Sequence, residues 1–170
     1  MNLKKLIRDV PDFPKPGIIF KDITPLLKNH KGYKLAINQM AKKYRNEHID
    51  KIVSMESRGF IFGAPVALKL GVGFVPIRKK GKLPYKTIKE EYQLEYGTDI
   101  LEIHEDAIAK GENVLIVDDV LATGGTAKAV CSLIKKLGGR VIGFCFLIEL
   151  SFLNPREKLK NHEIFSLIKY

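Results

Sequence analysis

The run Val114 to Ala127, VLIVDDVLATGGTA, restricts the possible folds of this chain more than any other stretch. It opens with Val114, Leu115, Ile116 and Val117, apolar and mostly β-branched. That pattern suits a parallel strand covered on both faces. Asp118 and Asp119 follow at the carboxyl edge of such a strand, where open α/β sheets bind ligands. Ala122, Thr123, Gly124, Gly125 and Thr126 carry little side-chain bulk, so their backbone N–H groups can close around an anion. A helix starting near Thr126 aims its positive dipole end at the same point. The chemistry suggested is a phosphate in the turn and a diol or a metal on the carboxylates. The plain alternative is a connection without function, with Gly124-Gly125 only shaping a turn. Two adjacent acids followed by Thr-Gly-Gly-Thr weigh against it. Neither the Gly-x-x-x-x-Gly-Lys-Ser/Thr run nor the Gly-x-Gly-x-x-Gly pattern occurs here, so this is a phosphate loop of another kind.

Around this run, strands alternate with helices, which predicts a parallel sheet. Strands are expected at Ile52–Met55, Phe74–Ile77, Asn113–Val117, Val141–Ile148 and Ile164–Ile168. Pro76 places the second of these near an edge. Helices are expected at Tyr33–Tyr44, at Phe60–Leu70 with Gly71 as its stop, and at Thr126–Leu137 before Gly138-Gly139. The expected fold class is a single α/β domain with a mostly parallel central sheet flanked by helices. The run Phe13 to Pro25 is too proline-rich for a helix or a central strand and reads as an irregular arm. From Lys79 to Asp99 the periodic pattern fails. That charged, Gly/Pro-punctuated stretch predicts a mobile loop that closes on substrate, or else a mere surface excursion.

Bulk properties narrow the function classes. A chain of 170 residues, 45% hydrophobic, is long enough for one domain with a real core. No apolar run approaches a membrane span, and the N-terminal Met1–Asp9 stretch does not read as a signal peptide, so a cytoplasmic protein is expected. Cys131 and Cys145 are expected as buried free thiols, and the histidines lack metal-ligand spacing. The net charge of +10 invites a nucleic-acid reading. Against it, lysines are spread along the chain and far outnumber arginines, the residue preferred for reading bases. The local cluster Arg78, Lys79, Lys80, Lys82, Lys86 and Lys89 suits the steering of a polyanionic small substrate.

A second strand–turn–helix unit, Met55-Glu56-Ser57-Arg58-Gly59-Phe60, repeats the anion-site logic. Arg58 adds a fork of donors for phosphate oxygens. A helix N-cap at Ser57 would explain much of it without any ligand.

Taken together, these blocks resemble the type I phosphoribosyltransferases. Val114 to Ala127 is similar to that family's signature for phosphoribosyl pyrophosphate (PRPP). The resemblance implies that Asp118 and Asp119 hold the ribose hydroxyls and that Ala122, Thr123, Gly124, Gly125 and Thr126 hold the 5′-phosphate. Met55 to Phe60 resembles the pyrophosphate loop, with Ser57 and Arg58 as contacts and a cis peptide between Glu56 and Ser57. Ile77 to Pro84 resembles the next block of the adenine-specific branch. It implies pyrophosphate contacts from Arg78, Lys79 and Lys82, within one subunit or across a dimer. Glu91 to Gly97 resembles that branch's flexible loop, with Glu95 as candidate acid/base. Phe13 to Pro25 matches its hood, set within residues 10–27, where Ile19, Phe20 and Lys21 would meet adenine together with Arg58 and, as an apolar floor, Leu150. The branch often has Arg where this chain has Lys21, and Lys lacks the planar fork.

The resemblance thus implies the type I phosphoribosyltransferase fold, topped by a small N-terminal hood. It implies transfer of the phosphoribosyl group from PRPP to adenine, giving AMP and pyrophosphate, in purine salvage. Mg2+ would be held mainly through substrate oxygens. A homodimer is expected, with no membrane and no nucleic-acid partner. The alternatives are a transferase for guanine, hypoxanthine or xanthine and, from another class, a PRPP-sensing regulator that binds nucleic acid.

Overall fold

Leu115 and Val117 point into one hydrophobic core, and Val114 and Ile116 point into a second. This is the two-residue period of a strand buried on both faces. A computed structural model of the chain describes residues 1–93 and 97–170. In chain order the elements are β1 (Arg8–Pro11), β2 (Ile19–Asp22), α1 (Thr24–Lys28), α2 (His30–Lys43), β3 (Lys51–Met55), α3 (Arg58–Leu70) and β4 (Gly73–Lys79). There follow β5 (Thr87–Gln93), β6 (Thr98–His104), β7 (Asn113–Leu121), α4 (Gly125–Lys136), β8 (Arg140–Glu149) and β9 (Ile164–Lys169).

Among the described residues, seven strands form one sheet in the order β5-β6-β4-β3-β7-β8-β9. The run from β4 to β9 is parallel, and β5 and β6 join antiparallel. The first core lies under α2 and α3, with Met40, Phe62 and Val66 fully buried. The second lies under α4, with Val130, Leu133 and Ile134 fully buried. From β3 the chain moves outward to β4, and from β7 it moves outward the other way to β8. The strand order therefore reverses between β3 and β7. Their carboxyl ends flank the crevice where doubly wound sheets bind ligands.

Four expectations need correction or refinement. The stretch 79–99 is not irregular throughout: β5 and β6 pair as a hairpin, from Thr87↔His104 to Gln93↔Thr98. Its period was hidden by charge. Ile88, Glu90 and Tyr92 are half-buried while Lys89 and Glu91 are exposed, so the alternation is strand-like although a turned-in residue is itself acidic. The arm 13–25 is not irregular throughout either. β1 and β2 form a separate two-stranded antiparallel sheet, and its prolines fall at a strand end or in the connection. Pro76 lies on an interior strand of the sheet order, but at its own position β4 is paired only with β3: β6 joins at Arg78 and Lys79, beyond the proline, so the local edge expected there is present within an interior strand. Finally, β7 runs past Val117 to Leu121, so Asp118 and Asp119 belong to the strand itself. No helix of the described residues is long and apolar enough to cross a membrane.

Candidate active site

The paired carboxylates on β7 are nearly enclosed, with Asp118 8% and Asp119 4% exposed. The Asp118 carboxylate accepts the Asp119 backbone N–H at 2.8 Å. Burial, and then the neighbouring Asp119 charge, push Asp118 well above the ordinary carboxyl range. Asp119 is also raised, its burial outweighing the favourable Arg58 guanidinium. Arg58 Nε stands 2.8 Å from Asp119 Oδ2. That contact lacks hydrogen-bond geometry, and the buried oxygen has no hydrogen-bond donor. Gly59 lets the start of α3 approach the other acid, because a Cβ there would lie 2.6 Å from Asp118 Oδ1.

Beyond the acids, Ala122 to Gly124 form the turn into α4. Gly124 has a φ of 80°, which L side chains rarely adopt, and a Cβ there would lie 2.8 Å from the Pro155 carbonyl oxygen. The segment carrying Pro155 is fixed in turn by Arg156. Its guanidinium donates twice to the buried Glu149 carboxylate, at 2.7 and 2.8 Å. Those bonds hold Glu149 below its ordinary range despite burial. The turn into α4 is thus backed by a segment held through two charge-assisted hydrogen bonds.

Across the crevice, the β3–α3 turn carries Glu56, Ser57 and Arg58, with a cis peptide between Glu56 and Ser57. Ser57 makes no side-chain capping bond, so capping does not account for it. Glu56 accepts from Arg78 Nε at 2.7 Å and from the Lys79 backbone N–H at 2.8 Å. Burial pushes Glu56 upward, but these donors bring it net below its ordinary range. Lys79 Nζ lies 3.2 Å from Asp99.

A cavity of about 520 Å³ lies between the two turns, lined by Ser57, Arg58, Lys79, Asp118, Asp119, Ala122, Thr123, Gly124 and Thr126. A second cavity, about 480 Å³, lies under the hood and is lined by Ile18, Ile19, Phe20, Lys21, Leu150 and Leu153. Arg58, Val120, Ala122, Thr123 and Thr126 line both, which joins them. Arg58 Cζ is 5.0 Å from the centre of the Phe20 ring, at the junction.

Most of the residues expected from sequence therefore converge on one crevice, and a few do not. Arg78 faces Glu56 and does not line either cavity, nor do Lys82 and Gly125. Lys21 lines the hood cavity, but its ammonium is bound to Asp9 at 2.7 Å and to the Tyr170 ring at 4.0 Å. Glu95 lies outside the described residues. Tyr92 and Asp99 line the first cavity and were not expected. Their signal was the strand alternation of β5 and β6. Ile18, Val120 and Leu153 complete the hood cavity and carry no local signature. Among the described residues, no cluster of three or more His, Cys, Asp or Glu side chains suits a metal ion.

Comparison with known proteins agrees with this geometry. A phosphoribosyl transferase domain model matches residues 23–168. An adenine phosphoribosyltransferase of Thermotoga petrophila is 61% identical over 170 residues, covering all of both chains. The crystal structure of adenine phosphoribosyltransferase from Thermoanaerobacter pseudethanolicus superposes with a TM-score of 0.97 at 55% identity, over 99% of this chain and 98% of that one. The Saccharomyces cerevisiae enzyme, solved with D-2,5-dideoxy-2,5-imino-altritol 1,6-bisphosphate and adenine, has a TM-score of 0.91 at 44% identity, covering 97% and 96%. On the matched domain, these full-length identities and the shared fold, the chain belongs to the adenine phosphoribosyltransferase family.

Proposed function

We infer that this chain transfers the phosphoribosyl group of PRPP to adenine, giving AMP and pyrophosphate, and that the two joined cavities divide the work. The observation that carries this reading is their contrast. One cavity is walled by paired acids and a backbone turn; the other is walled by apolar hood residues and Leu150. Asp118 and Asp119 bind the ribose hydroxyls, and their negative charge favours the positive charge that builds at the anomeric carbon. The backbone N–H groups from Ala122 to Thr126 and the α4 N-terminus hold the 5′-phosphate.

Ser57, Arg58 and Lys79 hold the pyrophosphate as the bond from the anomeric carbon to its oxygen breaks. Arg78 and Lys82 act on it from outside the cavity lining, in one subunit or across a dimer. Ile19, Phe20 and Leu150 position adenine, whose N9 forms the new bond to carbon. The proton lost from the purine passes to an acid/base group, a role we assign to Glu95.

The residues present fit a Mg2+ ion that arrives with substrate. Two adjacent carboxylates, one with a buried oxygen lacking any hydrogen-bond donor, offer hard oxygen ligands but not a full cage. When bound, the ion supplies charge neutralisation for the pyrophosphate and ribose oxygens. We place the enzyme in the cytoplasm, where the buried free thiols Cys131 and Cys145 stay reduced. We assign it a homodimer; sedimentation at micromolar concentration should give twice the chain mass, and a monomer mass would refute this.

The test of the reaction is nucleotide formation from PRPP and Mg2+ with adenine, hypoxanthine, guanine and xanthine offered separately. AMP alone supports the reading of the hood. Another nucleotide keeps the phosphoribosyl half of the site and overturns the base half.

A further inference from the structure

The hood strands β1 and β2 form a two-stranded sheet that, among the described residues, makes no strand pairing with the main sheet. A two-stranded ribbon is marginal on its own. Its position over the second cavity is set by the core-packed segments on either side, where Leu3, Ile23 and Leu26 are buried, and by side-chain contacts, several of which meet at Tyr170. The Tyr170 ring receives Lys21 Nζ at 4.0 Å and Lys4 Nζ at 4.2 Å from its centre. Lys21 belongs to β2 and adjoins Phe20; its ammonium also pairs with Asp9 of β1 at 2.7 Å. One side chain therefore links both hood strands to the end of β9. Lys4 adds a bond to the Lys169 carbonyl at 3.1 Å.

The backbone of Tyr170 faces the other wall of the same cavity. Its N–H donates to the Glu149 carbonyl at 3.0 Å, and its carbonyl accepts the Ser151 N–H at 2.8 Å. These two bonds bracket Leu150. Tyr170 thus fastens the roof of the cavity through its ring and the floor through its peptide groups, without lining the cavity itself.

We propose that Tyr170 is a positioning residue for the base: its ring anchors the hood through Lys21, and the segment leading into β1 through Lys4, and so sets the gap between Phe20 and Leu150 that adenine fills. In this arrangement Lys21 is a tether and not a ligand for the base. A lysine suits that task, since a compact ammonium can sit over a ring face and still reach a carboxylate. Another contact across the junction is made by Arg58, whose guanidinium lies over the Phe20 ring. It involves a group that substrate engages, so the Tyr170 anchor carries the hood when Arg58 turns to pyrophosphate. The proposal rests on reading the hood cavity as the adenine site.

The test compares steady-state constants for Tyr170→Leu, Tyr170→Phe, Lys4→Met and Phe20→Ala. Tyr170→Leu removes the ring and keeps apolar bulk. It should raise KM for adenine about five-fold, with KM for PRPP and kcat within about two-fold of the parent. Tyr170→Phe retains the ring face and should keep the parent KM for adenine. An unchanged adenine KM in Tyr170→Leu, an equal rise in both KM values, or a Phe variant as impaired as Leu would overturn the proposal. Should Tyr170→Leu not fold, Lys4→Met decides. It removes one exposed ammonium and should raise adenine KM about two-fold without moving PRPP KM; no shift refutes the anchor. Phe20→Ala separates the two levels of failure. If it raises adenine KM while the Tyr170 and Lys4 variants do not, only the anchor falls. If it leaves adenine KM unchanged, the base-site reading falls and the anchor with it.

Discussion

Toward its carboxyl end β7 presents buried carboxylates, followed by a turn almost free of side chains, whereas after β3 the chain presents charged side chains that already have partners. Asp118 and Asp119 sit in a setting that disfavours their charge, and the Arg58 guanidinium and nearby backbone N–H groups offset it only in part. Glu56, by contrast, is held by Arg78 and by the Lys79 N–H. The first turn is a fixed receptor whose cost is carried by the fold. The second is a set of ion pairs that an incoming polyanion can exchange. Arg58 belongs to both: it leans on Asp119 and lines the cavity between the two turns. The lesson is that one crevice meets its two sides by opposite means, stored desolvation at the paired acids and exchangeable charge at the β3–α3 turn.

The strongest way to break this comparison is to neutralise the fixed receptor. Asp118→Asn with Asp119→Asn should lower turnover by about 100-fold or more while the protein still folds. Its melting temperature should not fall and should rise by about 2–4 °C, because a buried like-charge pair has been removed. A calorimetric or circular-dichroism melt alongside the rate assay checks both. Near-normal turnover, or a large loss of stability, would contradict the division. On the exchangeable side, Arg58→Met should cost about 10-fold to 100-fold in kcat/KM for PRPP, the range for one charge-assisted hydrogen bond.

Gly124→Ala tests whether the phosphate turn depends on backbone shape. The added methyl would stand 2.8 Å from the Pro155 carbonyl at a positive φ. The expected outcome is a loss of about 1–2 kcal/mol in stability and about 10-fold weaker PRPP binding, read by a denaturant titration and by KM. The smallest effect is on pH dependence. The Asp118 and Asp119 pKa values are raised in the folded protein. Their contribution to stability is therefore fully present below the unfolded carboxyl pKa and is lost as pH rises through the folded values. Glu56 and Glu149 shift the other way, so the difference between the parent and Asp118→Asn isolates the term. The stability gain from Asp118→Asn should grow from acid pH toward neutrality; a gain independent of pH would remove the burial argument.

The parts of this molecule that were legible in the sequence are those where local pattern and tertiary environment agree. Val114 to Val117 is apolar throughout because both faces are covered, and the small residues after Asp119 mark a turn that closes on an anion. The β5–β6 hairpin was missed because Glu90 turns inward to Lys136, so an acidic residue occupies a position that alternation reserves for apolar ones. Tyr92 and Asp99 disappeared from view with it. The hood resisted for another reason. Nothing local in Phe20-Lys21-Asp22 says that the ammonium turns to Asp9 and Tyr170, since both partners are fixed only when β1 and β9 are in place. Likewise Leu153 and Val120 reach the second cavity through a strand end and a turn whose positions follow from the whole sheet.

The central claim is that the paired acids hold the phosphoribosyl half and the hood holds the base. Its most direct measurement is a crystal structure of the protein with AMP bound. The prediction is ribose hydroxyls within hydrogen-bond distance of Asp118 and Asp119, the 5′-phosphate on the backbone N–H groups between Ala122 and Thr126, and adenine between Phe20 and Leu150. AMP bound with its base at the carboxylates, or outside the joined cavities, would contradict the account.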